Sequence, residues 1–125
     1  MLVVVDAENV RRSIWPNVSR EQLVELLASR AAEEDADFLV VFDGPAPAGS
    51  ARVEAVGTGG ETADDWITRR VAELAEPYVL VTSDRELRQR AGASAADIVG
   101  GGKFIRELTR ADADADEPRQ RRNRA

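Results

Sequence analysis

Short apolar runs rich in valine alternate along this chain with stretches of helical period. Leu2–Val5 is unbroken and apolar, the pattern of a strand buried on both faces. Ala7–Val18, with Trp15-Pro16-Asn17 inside it, reads as a loop or a turn of helix ended by the proline. Ser19-Arg20-Glu21-Gln22 fits a capping box, and Leu23, Leu26, Leu27 and Ala31 then recur on one helical face. Phe38–Phe42 is a second strand, closed by the turn signal Asp43-Gly44-Pro45. Arg52–Val56 is a weaker strand whose direction the sequence leaves open, because the link before it is too short for a crossover helix.

Thr62–Asp65 opens a further helix, with Ala63, Ile67, Val71 and Leu74 along one face. Pro77 follows, then the strand Tyr78–Thr82. Ser83-Asp84 starts a short arginine-rich helix ending near Gly92, and Ala96–Val99 is a fifth strand. Gly100-Gly101-Gly102 leads into a last helix carrying Phe104, Ile105 and Leu108. This alternation predicts an α/β fold with a mostly parallel sheet. Residues 1–110 form the expected domain. Residues 111–125 lack any apolar period and are expected to be a disordered, charged tail.

Composition narrows the chemistry. The 125 residues suit one domain and include no cysteine and no histidine. Disulfides and thiolate sites are therefore excluded. No apolar run approaches the roughly 20 residues of a membrane span, so the expectation is a cytoplasmic protein without membrane contact. Net charge is −6, and residues 1–111 hold 13 basic against 19 acidic side chains. A protein that simply coats nucleic acid is usually basic. A metal-dependent nuclease escapes that rule, because cations neutralise part of an acidic site.

The acids are not scattered. Asp6, Asp43 and Asp84 each stand where a strand ends, and Asp64-Asp65 opens a helix. In an open parallel sheet these ends converge on one crevice. A carboxylate cluster suits Mg²⁺ or Mn²⁺. Each acid also has a plainer role: Asp6 and Asp84 as helix caps, Asp43 in its turn, Asp65 in a capping-box pattern with Thr62. Asp64 is expected to face the metal, with Asp65 as a cap or supporting group. Asn9, Thr82, Ser83 and Glu86 are supporting candidates. Arg11, Arg12, Arg85 and Arg88 follow the acids in sequence and are candidate phosphate contacts, against the alternative of ordinary solvated charge. Of the two tryptophans, Trp66 is the better base-stacking candidate. Gly100-Gly101-Gly102-Lys103 fails as a phosphate loop, since Asp97 and Phe104 occupy positions that need Gly and Ser or Thr.

Val5-Asp6-Ala7-Glu8-Asn9-Val10, Val41-Phe42-Asp43-Gly44, Glu61–Ile67 and Val81–Leu87 together resemble the YacP-like group of NYN domains, which are PIN-like ribonucleases. The resemblance spans residues 2–108. It implies a three-layer α/β/α fold with strand order 3-2-1-4-5, and an endoribonuclease that cuts single-stranded RNA with one or two Mg²⁺ or Mn²⁺ ions. The family's metal-binding acids fall on Asp6, Asp64 and Asp84, with Asn9, Asp43, Asp65 and Glu86 at supporting positions. Glu8 stands where the group commonly has an aromatic residue.

With no histidine base, metal-activated water is the expected nucleophile. The alternative is a non-catalytic module that binds RNA or the ribosome through the same cleft; metal-dependent product formation separates the two. A phosphoacceptor receiver domain, suggested by Asp6, Asp43, Thr82 and Lys103, fits less well, because receivers carry the phosphorylated aspartate on the third strand.

Overall fold

A computed structural model describes residues 1–110, and the tail expected over 111–125 lies outside them. The strands are β1 (Leu2–Asp6), β2 (Asp37–Asp43), β3 (Val53–Thr58), β4 (Tyr78–Val81) and β5 (Asp97–Val99). All pair in parallel, in the order β3-β2-β1-β4-β5. The helices are α1 (Ala7–Arg12), α2 (Arg20–Glu34), α3 (Ala63–Ala72) and α4 (Arg85–Ala91), with a further helix over residues 101–110.

Alternation along the central strands divides the core between two faces. Val5, Phe38, Val40, Phe42 and Val81 point to the side covered by α1, α2 and the last helix, where Leu23, Leu27, Ile105 and Leu108 meet them. Val4, Leu39, Val41 and Leu80 point the other way, onto Ile67 and Val71 of α3 and Leu87 of α4. Layers of helix therefore sandwich the sheet, as the family resemblance implies. Among the described residues no helix is long and apolar enough to cross a membrane.

Local signals set the helix ends. Ser19 accepts from the Gln22 backbone N–H while the Gln22 side chain accepts from the Ser19 N–H, each at 3.0 Å, a complete capping box. The other end of α2 stops at Asp35, which takes a left-handed φ of 53°.

The direction of β3 is resolved: it runs parallel to β2, with Phe38 beside Val53 and Asp43 beside Thr58. No helix makes the return. The link is residues 44–52, and at about 3.3 Å per residue its extended reach exceeds the length of the strand. Gly57 permits the crossing, because a Cβ there would meet the backbone of Gly44 and Ala46.

The order places β1 in the centre, with β2 and β4 on either side. The chain first winds outward through β2 and β3, then returns across β1 to β4 and β5. The crevice beyond the carboxyl ends of β1 and β4 is thus the switch point of the sheet, where open α/β folds bind ligands.

Candidate active site

A cavity of about 350 Å³ opens at that switch point, lined by Asp6, Glu8, Asn9, Arg12, Ser13, Asp43, Asp64 and Asp84. Each aspartate arrives from a different part of the chain. Asp6 ends β1, Asp43 ends β2, Asp64 lies in the first turn of α3, and Asp84 precedes α4.

Asp6 forms the buried end, with only 5% of its surface exposed. It occupies the N-cap position of α1, yet its side chain makes no capping hydrogen bond. Its Oδ2 instead accepts from the Thr82 hydroxyl at 3.0 Å. The pairing of Val5 with Val81 brings these next residues together. Asp84 does act as a cap, accepting from the Leu87 N–H at 2.9 Å through Oδ1. Asp43 caps α3 from the neighbouring strand, accepting from the Ala63 N–H at 2.7 Å. That bond fixes the first turn of α3, and Asp64 with it, against the end of β2.

Asn9 is held by the loop after β4, which the start of the last helix braces in turn. Its Oδ1 accepts from the Ser83 N–H at 2.9 Å, and Ser83 Oγ accepts from the Gly101 N–H at 2.8 Å. A Cβ on Gly101 would collide with Asn9 Oδ1, so glycine is needed for this close approach.

Burial first, and then crowding of like charge, perturbs Asp6 and Asp64. Burial pushes the Asp6 carboxyl from 3.8 up to about 6; the Thr82 hydrogen bond opposes that rise, and the charges of Asp64 and Asp43 add to it. Asp64 is also raised, first by desolvation and then by Asp84 and Asp43. Such a set resists holding all its negative charge without a cation. Among the described residues, however, no three acidic side chains already stand grouped as ligands of one ion.

The donors nevertheless fit Mg²⁺ or Mn²⁺. They are carboxylate and amide oxygens, and the cavity has room for water ligands. Asp6, Asp64 and Asp84 would hold the ion, Asp6 and Asp84 through the carboxylate oxygens that their hydrogen bonds leave over.

Other sequence candidates lie elsewhere. Asp65 is exposed and its Oδ1 accepts from Arg90 at 2.8 Å, so neither it nor Glu86 lines the cavity. The Thr62 hydroxyl does cap the Asp65 N–H, but the Asp65 carboxylate goes outward to Arg90 and leaves the capping box incomplete. Arg88 Nε donates to the Thr82 carbonyl and Arg11 Nε to the Val18 carbonyl, which commits both to the frame. Arg85 is exposed away from the cavity lining, and of the four arginines only Arg12 reaches that lining. Trp66 is half-buried and packs against the core beneath α3.

Glu8 and Ser13 also line the cavity, and neither is a site candidate on sequence alone. Glu8 is buried among Arg11, Arg12 and Arg20. Its i,i+3 and i,i+4 spacing to two of them is legible only once residues 7–12 are known to be helical.

The sequence matches the YacP-like NYN domain over residues 3–125, past the point where the four motifs end. No curated protein matches the chain. Solved structures resemble it as well, two of them forms of one protein. The crystal structure of Rae1 (YacP) from Bacillus subtilis superposes with a TM-score of 0.71 at 21% identity, covering 97% of this chain and 80% of that one. A mutant form of the same protein gives 0.72 at 23% identity, covering 93% and 79%. At that identity the likeness carries the PIN-like fold, and the domain match carries the family. The chain belongs to the YacP-like NYN domain family, a family of PIN-like nucleases.

Proposed function

We propose that this protein is a Mg²⁺- or Mn²⁺-dependent endoribonuclease that hydrolyses phosphodiester bonds of single-stranded RNA. One observation carries the reading: four aspartates from four separate segments open on a single cavity at the switch point of the sheet. A fold has little structural reason to bury Asp6 beside two further acids. A site that must hold a divalent cation has one.

When bound, a divalent ion polarises a phosphate oxygen and lowers the pKa of a coordinated water. The protein's own groups supply the rest. Asp6, Asp64 and Asp84 hold negative charge at the floor and walls. Thr82 fixes the rotamer of Asp6, and the Ser83 N–H fixes the Asn9 amide. Arg12, at the rim, offers a guanidinium to a phosphate oxygen. Ser83 is not a nucleophile in this reading, because it lies outside the cavity lining, where its Oγ accepts from the Gly101 N–H.

The alternative, a non-catalytic module that binds RNA or the ribosome, draws on the lack of three pre-grouped acidic ligands among the described residues. Incubating labelled single-stranded RNA with the protein in Mn²⁺, Mg²⁺ or chelator separates the two. The nuclease reading expects internal cuts that need the ion and disappear in Asp64→Asn. Chelator-insensitive binding without product would favour the module.

A further inference from the structure

The segment joining α1 to α2 carries an exposed aromatic group that the acid site does not use. Its base is Glu8, 6% exposed, which forms an ion pair with Arg11 and lies 3.5 Å from both Arg12 and Arg20. Arg11 is fully committed, since its Nε also donates to the Val18 carbonyl at 2.9 Å. The Val18 N–H returns a bond to the Arg11 carbonyl at 3.3 Å, so the segment between them is closed at its neck. Ser13 ties back to the Asn9 carbonyl. Within this closed loop Ile14 turns inward onto the core and Trp15 turns out, 86% exposed.

Such exposure is a cost. An indole left in water forgoes its burial, and the loop that carries it is closed at its neck. The surroundings suggest the reason. Ser13 and Arg12 line the acid cavity, and two residues of extended chain put Trp15 within about 7 Å of Ser13, backbone to backbone. The Arg12 side chain is 67% exposed and only loosely held. One carboxylate among three guanidinium groups leaves this cluster a positive surplus, set beside the four aspartates of the cavity in a chain of net charge −6.

We propose that Trp15, Arg12 and Arg20 form a nucleotide-binding arm for single-stranded RNA beside the acid cavity. The two guanidinium groups hold a phosphodiester, and the indole stacks on a base of the flanking nucleotide. Glu8 is a positioning residue, gathering the arginines without neutralising all of them. The arm rests on the RNA reading given above, and it also accounts for how an acidic protein retains a polyanion. Stacking on Trp15 is available only to unpaired bases, so the arm selects single strands over duplex.

The test uses the full chain in chelator, titrated with a short mixed-sequence single-stranded oligoribonucleotide while tryptophan fluorescence is read. Quenching is expected in the wild type and is lost in Trp15→Phe, which keeps most of the affinity. Trp15→Ala should weaken binding by about tenfold, the usual scale for one stacked base. Arg12→Gln should weaken it and flatten the salt dependence by about one phosphate contact. Unchanged affinity in Trp15→Ala, or equal quenching by duplex RNA, would overturn the arm, as would a wild type that binds no RNA. The two proposals fail separately. RNA that quenches Trp15 but stays uncut in Mn²⁺ keeps the arm and removes the nuclease. RNA that is cut equally well, with unchanged KM, by Trp15→Ala removes the arm alone.

Discussion

The Thr82 hydroxyl donates a 3.0 Å hydrogen bond to Asp6 Oδ2, joining the ends of two adjacent central strands. Thr82 is fully buried, so the bond aims a carboxylate that burial and neighbouring acids would otherwise protonate. Thr82→Val keeps the shape and removes the donor. The Asp6 pKa then climbs further. A hydrogen bond to a charged group is worth about 1.5–3 kcal/mol, so cleavage at mildly acid pH should fall roughly ten- to hundredfold. The loss should shrink as the pH rises. A loss that is the same at every pH would show that Thr82 does not act through Asp6.

Asp6 should also destabilise the metal-free fold. Its folded pKa of about 6 lies above the unfolded value of 3.8, so between these the folded state keeps a proton that the unfolded chain has released. Stability therefore falls as pH climbs through that window and levels off above it. The shift corresponds to roughly 3 kcal/mol. Asp6→Asn, inactive, should unfold later than wild type in chelator at neutral pH, by about 1–3 kcal/mol, and the gap should close below the window. Denaturant midpoints across pH measure this. A less stable Asp6→Asn at neutral pH would contradict it.

Adjacent carboxylates on α3 should behave differently. Asp64 faces the cavity, whereas Asp65 pairs with Arg90 on the surface. Asp64→Asn should lower cleavage on the order of a hundredfold or more, as expected for loss of a metal ligand. Asp65→Asn should leave both rate and stability near wild type, as for other exposed pairs. Parallel rate assays decide, and equal losses would sink the assignment.

Much of this was written in the chain. Valine runs ending in aspartate gave the strands and their acids, and Ser19 with Gln22 marked the start of α2. Three things were hidden, each for a physical reason. β3 returns without a helix, so its direction depends on the reach of residues 44–52 and on the packing of Gly57, neither of which is a local pattern. The helical turn already sends the two acids of α3 apart, but the partner of Asp65 is Arg90, 25 positions further on. Proline in the segment before α2 disguised the helix Ala7–Arg12, and with it the grouping of Glu8 and its arginines. Long-range partners decide side-chain direction, and periodicity does not record them.

Gly101 offers a test remote from the acids. Gly101→Ala forces a Cβ onto Asn9 Oδ1 and should break the contact of Asn9 with the Ser83 N–H. Overpacking of this kind costs about 1–3 kcal/mol in stability. Cleavage should fall as well, since Asn9 lines the cavity. Thermal unfolding beside a rate assay checks both, and an unaffected variant would show that the position is not tight.

The central claim is that the aspartate cavity holds a divalent cation, and calorimetric titration of Mn²⁺ into wild type, Asp6→Asn and Asp64→Asn tests it most directly. Saturable binding to the wild type is expected, weakened at least tenfold to a hundredfold by either substitution. A wild type that takes up no Mn²⁺, or substituted proteins that bind it equally well, would contradict the account.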